Sequence, residues 1–168
     1  MLRLRPYKKC DAEHIARWVK DDMTLQLWSA GTFGNYPLTA EKFHAYYANL
    51  EDSPDFFELT AIDETGPVGH MFMKLMDEKM TTVRLGFVIV DDSKRGMHYG
   101  SGMIRLAARY AFDILGAEKI TLAVFEANKA AQKCYLAAGF RFVELNPPKY
   151  YTINGEQWHC LEMEMTKN

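Results

Sequence analysis

Residues 83–102 constrain this chain more than any other stretch. Val83 to Val90 is β-branched and apolar, the composition of a buried strand. It breaks at Asp91-Asp92-Ser93 into Lys94-Arg95-Gly96-Met97-His98-Tyr99-Gly100-Ser101-Gly102. From there Met103, Ile104, Leu106, Ala107, Tyr110, Ala111, Ile114 and Leu115 recur at helical spacing until Gly116. A strand, a glycine-bearing basic loop and a helix, in that order, aim free backbone N–H groups at an anion. The first turn of a helix has unpaired donors, and its dipole makes that end partly positive. Glycine carries no Cβ to hold a phosphate away. The stretch therefore predicts a site for a phosphate-bearing ligand.

The rest of the chain bounds what that ligand serves. At 168 residues it is long enough for one domain with a substantial core. A net charge of −2 lacks the basic footprint of a nucleic-acid binder. No apolar run reaches membrane-spanning length, and Met1-Leu2-Arg3-Leu4-Arg5-Pro6 turns polar too early for a signal peptide. Cys10, Cys134 and Cys160 are an odd, widely spaced set, read as reduced thiols in a cytoplasmic protein. No Cys/His spacing matches a metal site.

Taken in order, Leu2 to Arg5 alternates as a short strand, and Asp11 is a plausible cap for a helix with Ile15, Trp18 and Val19 on its apolar face. Asp21 to Tyr36 is aromatic but weakly periodic, and reads as a structured loop or broken helix able to wall a pocket. Thr39 caps a second helix carrying Phe43, Tyr46, Tyr47 and Leu50. Strands follow over Phe56–Ile62, Val68–Met76 and Thr81–Val90 with turns at Asp63–Gly66 and Asp77–Lys79, an antiparallel meander. After the loop and its helix, Lys119–Phe125 is a strand that must lie parallel to Thr81–Val90, because the connection is a strand–helix–strand crossover. Asn128–Ala138 is a helix stopped by Gly139. Phe140–Leu145 and Trp158–Met165 are the last strands, joined through Pro147-Pro148 and a turn at Ile153-Asn154-Gly155-Glu156. The expected class is α+β, a mixed, mostly antiparallel sheet with about four flanking helices.

Two motifs carry a resemblance. Arg95-Gly96-Met97-His98-Tyr99-Gly100 resembles the Q/R-x-x-G-x-G/A signature with which the GNAT superfamily of N-acetyltransferases holds the pyrophosphate of coenzyme A. About thirty residues on, Asn128-x-x-Ala131-x-x-x-Tyr135-x-x-x-Gly139-Phe140 resembles the superfamily's second signature. Leu4-Arg5-Pro6 and the Ile153–Glu156 turn are similar to the branch containing ribosomal-protein N-terminal acetyltransferases and spermidine acetyltransferases. One departure stands out: His98 occupies a position where the family often has glycine.

The resemblance implies acetyl-CoA as co-substrate, no metal, and direct transfer in a ternary complex to a primary amine. The acceptor is a protein N-terminus or a small-molecule amine, a polyamine among them. Relatives often dimerise, so a homodimer is a possible state. Arg95, Gly96, Met97, His98, Gly100, Ser101 and Gly102 would cradle the phosphates, with Lys94 and Lys133 in reach of them or of solvent. Val88, Ile89 and Val90 would line the pantetheine arm where their strand splays from the next, and Asn128 would touch that arm as well as cap its helix. Tyr135 would protonate the departing thiolate.

Acetyl transfer to an amine also requires the amine to lose a proton, and the carbonyl oxygen needs donors as it gains charge. The strand slots where relatives carry a basic glutamate hold Arg84 and Ala123. The remaining candidates for the base are Glu126, His70 and Asp91, or a water chain. Cys134, adjacent to Tyr135, belongs to the core. Asp21, Asp22, Trp28, Phe33, Tyr36, Tyr46 and Tyr47 are candidates for the acceptor side, where carboxylates and aromatics would suit a cation. A non-catalytic CoA-binding or sensing domain is the rival from another class. A P-loop nucleotide site is disfavoured, since the loop lacks the Gly-Lys-Ser/Thr ending.

Overall fold

The computed structural model describes residues 1–167. The meander forms as its turns dictate: β2 (Phe56–Asp63), β3 (Gly66–Leu75) and β4 (Thr82–Val90) are consecutive antiparallel neighbours. β1 (Arg3–Pro6) adds to the outer edge of β2. The crossover through α4 (Tyr99–Arg109), whose final turn at Tyr110–Ile114 widens to π geometry, returns the chain as β5 (Lys119–Phe125), parallel to β4. After α5 (Lys129–Ala138), strands β6 (Arg141–Val143) and β7 (Lys149–Ile153) both pair with the long β8 (Glu156–Thr166), which lies against β5. Among the described residues the result is an eight-stranded mixed sheet whose one parallel pair is β4–β5.

Three helices, not two, precede the meander: α1 (Ala12–Trp18), α2 (Asp22–Ser29) and α3 (Ala40–Ala48). Against about four expected, five helices flank the sheet among the described residues. α2 is the one that the weak aromatic periodicity concealed. Its N-terminus is fixed by Asp21, whose carboxylate accepts from Thr24 N at 2.7 Å, and Ala30 ends it in the left-handed region. Thr39 caps α3, accepting from Lys42 N. Asp11 corrects another expectation. Its side chain does not cap α1 but accepts from both guanidinium nitrogens of Arg5 (2.7 and 2.8 Å), from Thr60 Oγ1 (2.8 Å) and from Lys8 N (2.9 Å), tying β1 to β2. Strand β7 was also unforeseen. It and β8 form a hairpin across Asn154 and Gly155, both at positive φ, as the Asn-Gly pair requires.

Two cores sit on opposite faces of the sheet. One joins Met71, Met73, Val83, Leu85, Ile120 and Leu122 to α4 and α5; the other gathers α1, α2 and α3 around Phe43 and Leu25. Strand β4 serves both because it is bulged. His70 pairs with Ile89 and Phe72 with Gly86, so Met71 faces two residues, Phe87 and Val88, and Phe87 has φ +50°. The extra residue reverses the alternation of side chains. Val83 and Leu85 face the α4–α5 core; beyond the bulge Val88 and Val90 face it, while Phe87 and Ile89 turn to the α1–α3 core. Among the described residues no helix is long and apolar enough to cross a membrane.

Candidate active site

The parallel ladder between β4 and β5 is short. Pairing covers only Thr82–Arg84 against Lys119–Thr121, after which the strands part. Arg84 stands at that fork and binds across it: its guanidinium donates to Thr121 Oγ1 at 3.2 Å and to both carboxylate oxygens of Glu162 at 2.6 and 3.1 Å. Beyond Arg84 the facing edges of β4 and β5 leave backbone N–H and C=O groups without a strand partner, the arrangement that accepts an extended, amide-bearing chain. A cleft of about 730 Å³ fills the fork. Leu85 and Leu122 line it from one face of the sheet, Gly86, Ala123 and the α2 residues Thr24, Leu27 and Trp28 from the other, so it passes through the sheet.

At the α4–α5 mouth the lining is cationic and small. Lys94, Arg95, Gly96, His98, Gly100, Ser101, Asn128 and Lys133 all border it, as do Val88, Ile89 and Val90 deeper in. The first turn of α4 presents its N–H groups here; the helix's first bond runs from Gly102 N to His98 O at 2.9 Å. Gly100 is required by packing: a Cβ there would lie 2.8 Å from Cys134 Sγ, so the two helices meet at this point. Gly96, at φ +77°, has nothing within 4 Å of its Cβ position. Arg95 and Lys133 are exposed and make no ion pair among the described residues. Lys94 is different. Its ammonium lies 3.4 Å from Asp63 Oδ2, which also accepts from Tyr99 Oη at 2.8 Å. That hairpin aspartate therefore secures both ends of the basic loop. The donors, the two free cations and the open glycine turn fit the pyrophosphate of CoA. His98 takes the left-handed conformation, φ +59°, at the start of α4, a backbone state a glycine would adopt at less cost. Met97 is exposed, and neither it nor Gly102 borders the cleft.

Tyr135 borders the cleft from α5. Asn128 starts that helix by accepting from Ala131 N at 3.2 Å, and Gly139 ends it at φ +109°. Gln132 fixes its angle to β5, donating to Phe125 O (3.1 Å) and Glu126 O (2.8 Å). Gln132 passed unnoticed in the sequence because a lone glutamine carries no signal until its partners are known. Tyr135 is 7% exposed, and its hydroxyl has no hydrogen-bond partner among the described residues. Burial holds the phenol above its ordinary pKa, so it keeps its proton at neutral pH.

The three side chains expected as bases do not border the cleft. His70 is wholly buried in the α1–α3 core. Its Nε2 lies 2.6 Å from Tyr47 Oη, its Nδ1 has no partner, and desolvation pushes its pKa down to about 3. Glu126 faces solvent beside His159 Nδ1 at 3.2 Å, and Asp91 caps the turn after β4 through Ser93 N. Of the expected acceptor residues only Trp28 lines the cleft. Phe33 is buried behind it, rings 5.6 Å apart and stacked, and Tyr36 is 44% exposed and away from the lining.

A fork between parallel strands, a cationic helix start at one mouth and a proton-bearing phenol on its wall suit an acyltransferase with a phosphate-bearing donor. The description of an acetyltransferase (GNAT) domain matches residues 1–141, and the chain belongs to that family of acetyl-CoA-dependent N-acetyltransferases. Its fold is similar to that of a spermidine N-acetyltransferase from Vibrio cholerae solved with CoA and spermine (TM-score 0.80, 18% identity, covering 98% of this chain and 95% of that one). It is also similar to a structure provisionally described as a phosphinothricin N-acetyltransferase (TM-score 0.74, 19% identity, 99% and 98% covered).

Proposed function

We propose that this protein moves the acetyl group of acetyl-CoA directly to the nitrogen of a small primary amine, with both substrates held in the fork between β4 and β5. The observation that carries this reading is the placement of Tyr135: buried, protonated and unpartnered, on the wall of the cleft that the cationic loop also borders.

Acetyl-CoA supplies an acetyl group activated as a thioester. Arg95, Lys133 and the first N–H groups of α4 hold its phosphates, and the open edges of β4 and β5 grip the pantetheine amides. A β4 backbone N–H beside the bulge polarises the carbonyl. The Tyr135 hydroxyl donates its proton to sulfur as the C–S bond breaks. No carboxylate lines the cleft among the described residues. The amine therefore reacts as its free base, and its proton leaves through water.

Two observations support a small acceptor over a protein N-terminus. The β7–β8 hairpin packs against α2 beside the cleft, where Phe125, Ile153 and Cys160 cluster with Leu27, Ala30, Ala123, Tyr151 and Trp158. Asn154 Nδ2 ties the hairpin tip to Asp22 Oδ2 of α2 at 3.0 Å. The similar Vibrio cholerae enzyme was likewise solved with a small amine. The test is Tyr135→Phe: kcat should fall by about 10²-fold or more while KM for acetyl-CoA changes little. An unaltered kcat would remove Tyr135 as the acid.

A further inference from the structure

Resting on the acetyltransfer reading above, we propose that the acceptor is an aromatic or otherwise apolar monoamine, and that the site discriminates against polycations. Every charged side chain on the cleft wall is basic: Lys94, Arg95 and Lys133, all at the α4–α5 mouth. Among the described residues no aspartate or glutamate borders the cleft anywhere. On the α2 side the wall is Thr24, Leu27, Trp28 and Phe87, one hydroxyl among apolar surfaces.

The nearest carboxylates stand off the cleft wall and are oriented toward other groups. Asp21 accepts from Thr24 N as the cap of α2. Asp22 accepts from Gln26 Nε2 (3.1 Å), Tyr36 N (3.0 Å) and Asn154 Nδ2 (3.0 Å). Glu162, on the strand beside Ala123, is held by both guanidinium nitrogens of Arg84. A polyamine with its reacting nitrogen at the fork would place further ammonium groups against this apolar side with no carboxylate in the lining to pair with, and a desolvated unpaired ammonium is costly.

A neutral aromatic body finds the opposite. Trp28 is a fixed platform, stacked on Phe33 (5.6 Å) and Phe43 (5.9 Å) and braced by Phe87 at 5.4 Å. A platform that is already immobile binds a ring without ordering cost of its own. Only the reacting amine then needs to be uncharged, and it is uncharged in the reactive state.

The experiment compares kcat/KM for 2-phenylethylamine and for spermidine, following CoA release with the full chain. The expected result is a preference of about tenfold or more for 2-phenylethylamine. Trp28→Ala should lower the 2-phenylethylamine value by about tenfold. Thr24→Asp, which suits the first turn of α2 and supplies the missing counter-charge, should move the ratio toward spermidine by about tenfold. Spermidine used as well as or better than 2-phenylethylamine by the unaltered protein overturns this inference and leaves acetyltransfer standing. CoA release with neither these amines nor any other overturns both.

Discussion

Two residues show how packing and protonation set limits that composition hides. Gly100 touches the cofactor mouth, yet its main constraint is the Cys134 thiol, 2.8 Å from where a Cβ would stand. Gly100→Ala should cost about 1–3 kcal/mol in chemical denaturation through overpacking, and adding Cys134→Ala should restore much of it. His70 is fully buried and neutral, with its pKa lowered from 6.5 to about 3 by desolvation. Between those values the unfolded chain binds a proton that the folded chain does not, so stability is lost as pH falls below the unfolded value. At about pH 5 the loss from this group should be roughly 2 kcal/mol. Replacing the hydrogen-bonded pair, as Tyr47→Phe with His70→Leu, should flatten that part of the stability–pH curve relative to the unaltered protein, as read by urea titrations across the range. An unchanged slope would show that His70 binds its proton as readily in the fold as in the unfolded chain.

Elements were legible where their period was clean. Strand β5 runs over Lys119–Phe125 as expected because Ile120, Leu122 and Val124 alternate without interruption, and Asn128 and Gly139 bracket α5 with a cap and a left-handed stop. Strand β7 escaped notice because Lys149 to Ile153 follows two prolines and is mostly exposed. Helix α2 escaped because Trp28 and Phe33 belong to an aromatic cluster that helical spacing does not reveal. The bulge could not be read at all: Phe87 is a bulky residue at positive φ, a state the fold imposes against local preference. For the same reason the loop's glycines and cations could be read from the sequence, whereas the facing of the candidate bases could not. Whether a histidine in a strand faces a cleft or a core depends on register, and His70 faces the core. The fork itself rests on Arg84 and Glu162, whose side chains are 24% and 16% exposed. Glu162→Gln leaves the guanidinium half-paired and should cost about 1–3 kcal/mol. Arg84→Met with Glu162→Leu removes both charges and should cost less than the two single changes summed. A double-mutant cycle by denaturation checks this, and additive losses would mean that the pair does not act as a unit.

At the scale of the molecule, the cleft divides the two cores that the sheet separates. The α4–α5 core supplies the cationic mouth, the α1–α3 core supplies Trp28 and Phe87, and bulged β4 is shared by both. A ligand in the fork touches elements of each, so binding should stabilise the chain as one unit. Acetyl-CoA at about 100 times its Kd should add roughly 2.7 kcal/mol, visible as a single transition moved to higher temperature. Much of that gain depends on phosphate contacts at an exposed mouth, where salt screens charge over about 10 Å at 0.1 M and about 3 Å at 1 M. At a fixed acetyl-CoA concentration the shift in Tm should therefore shrink as salt rises through that range. Arg95→Ala with Lys133→Ala should give a smaller shift at low salt and a shallower dependence on salt. Trp28→Ala, on the other side of the sheet, should leave the slope of that dependence unchanged, since it bears no charge. Differential scanning fluorimetry of the three proteins across a salt series distinguishes these outcomes. A salt response that survives loss of both cations would assign phosphate binding to Lys94 and the N–H groups of α4.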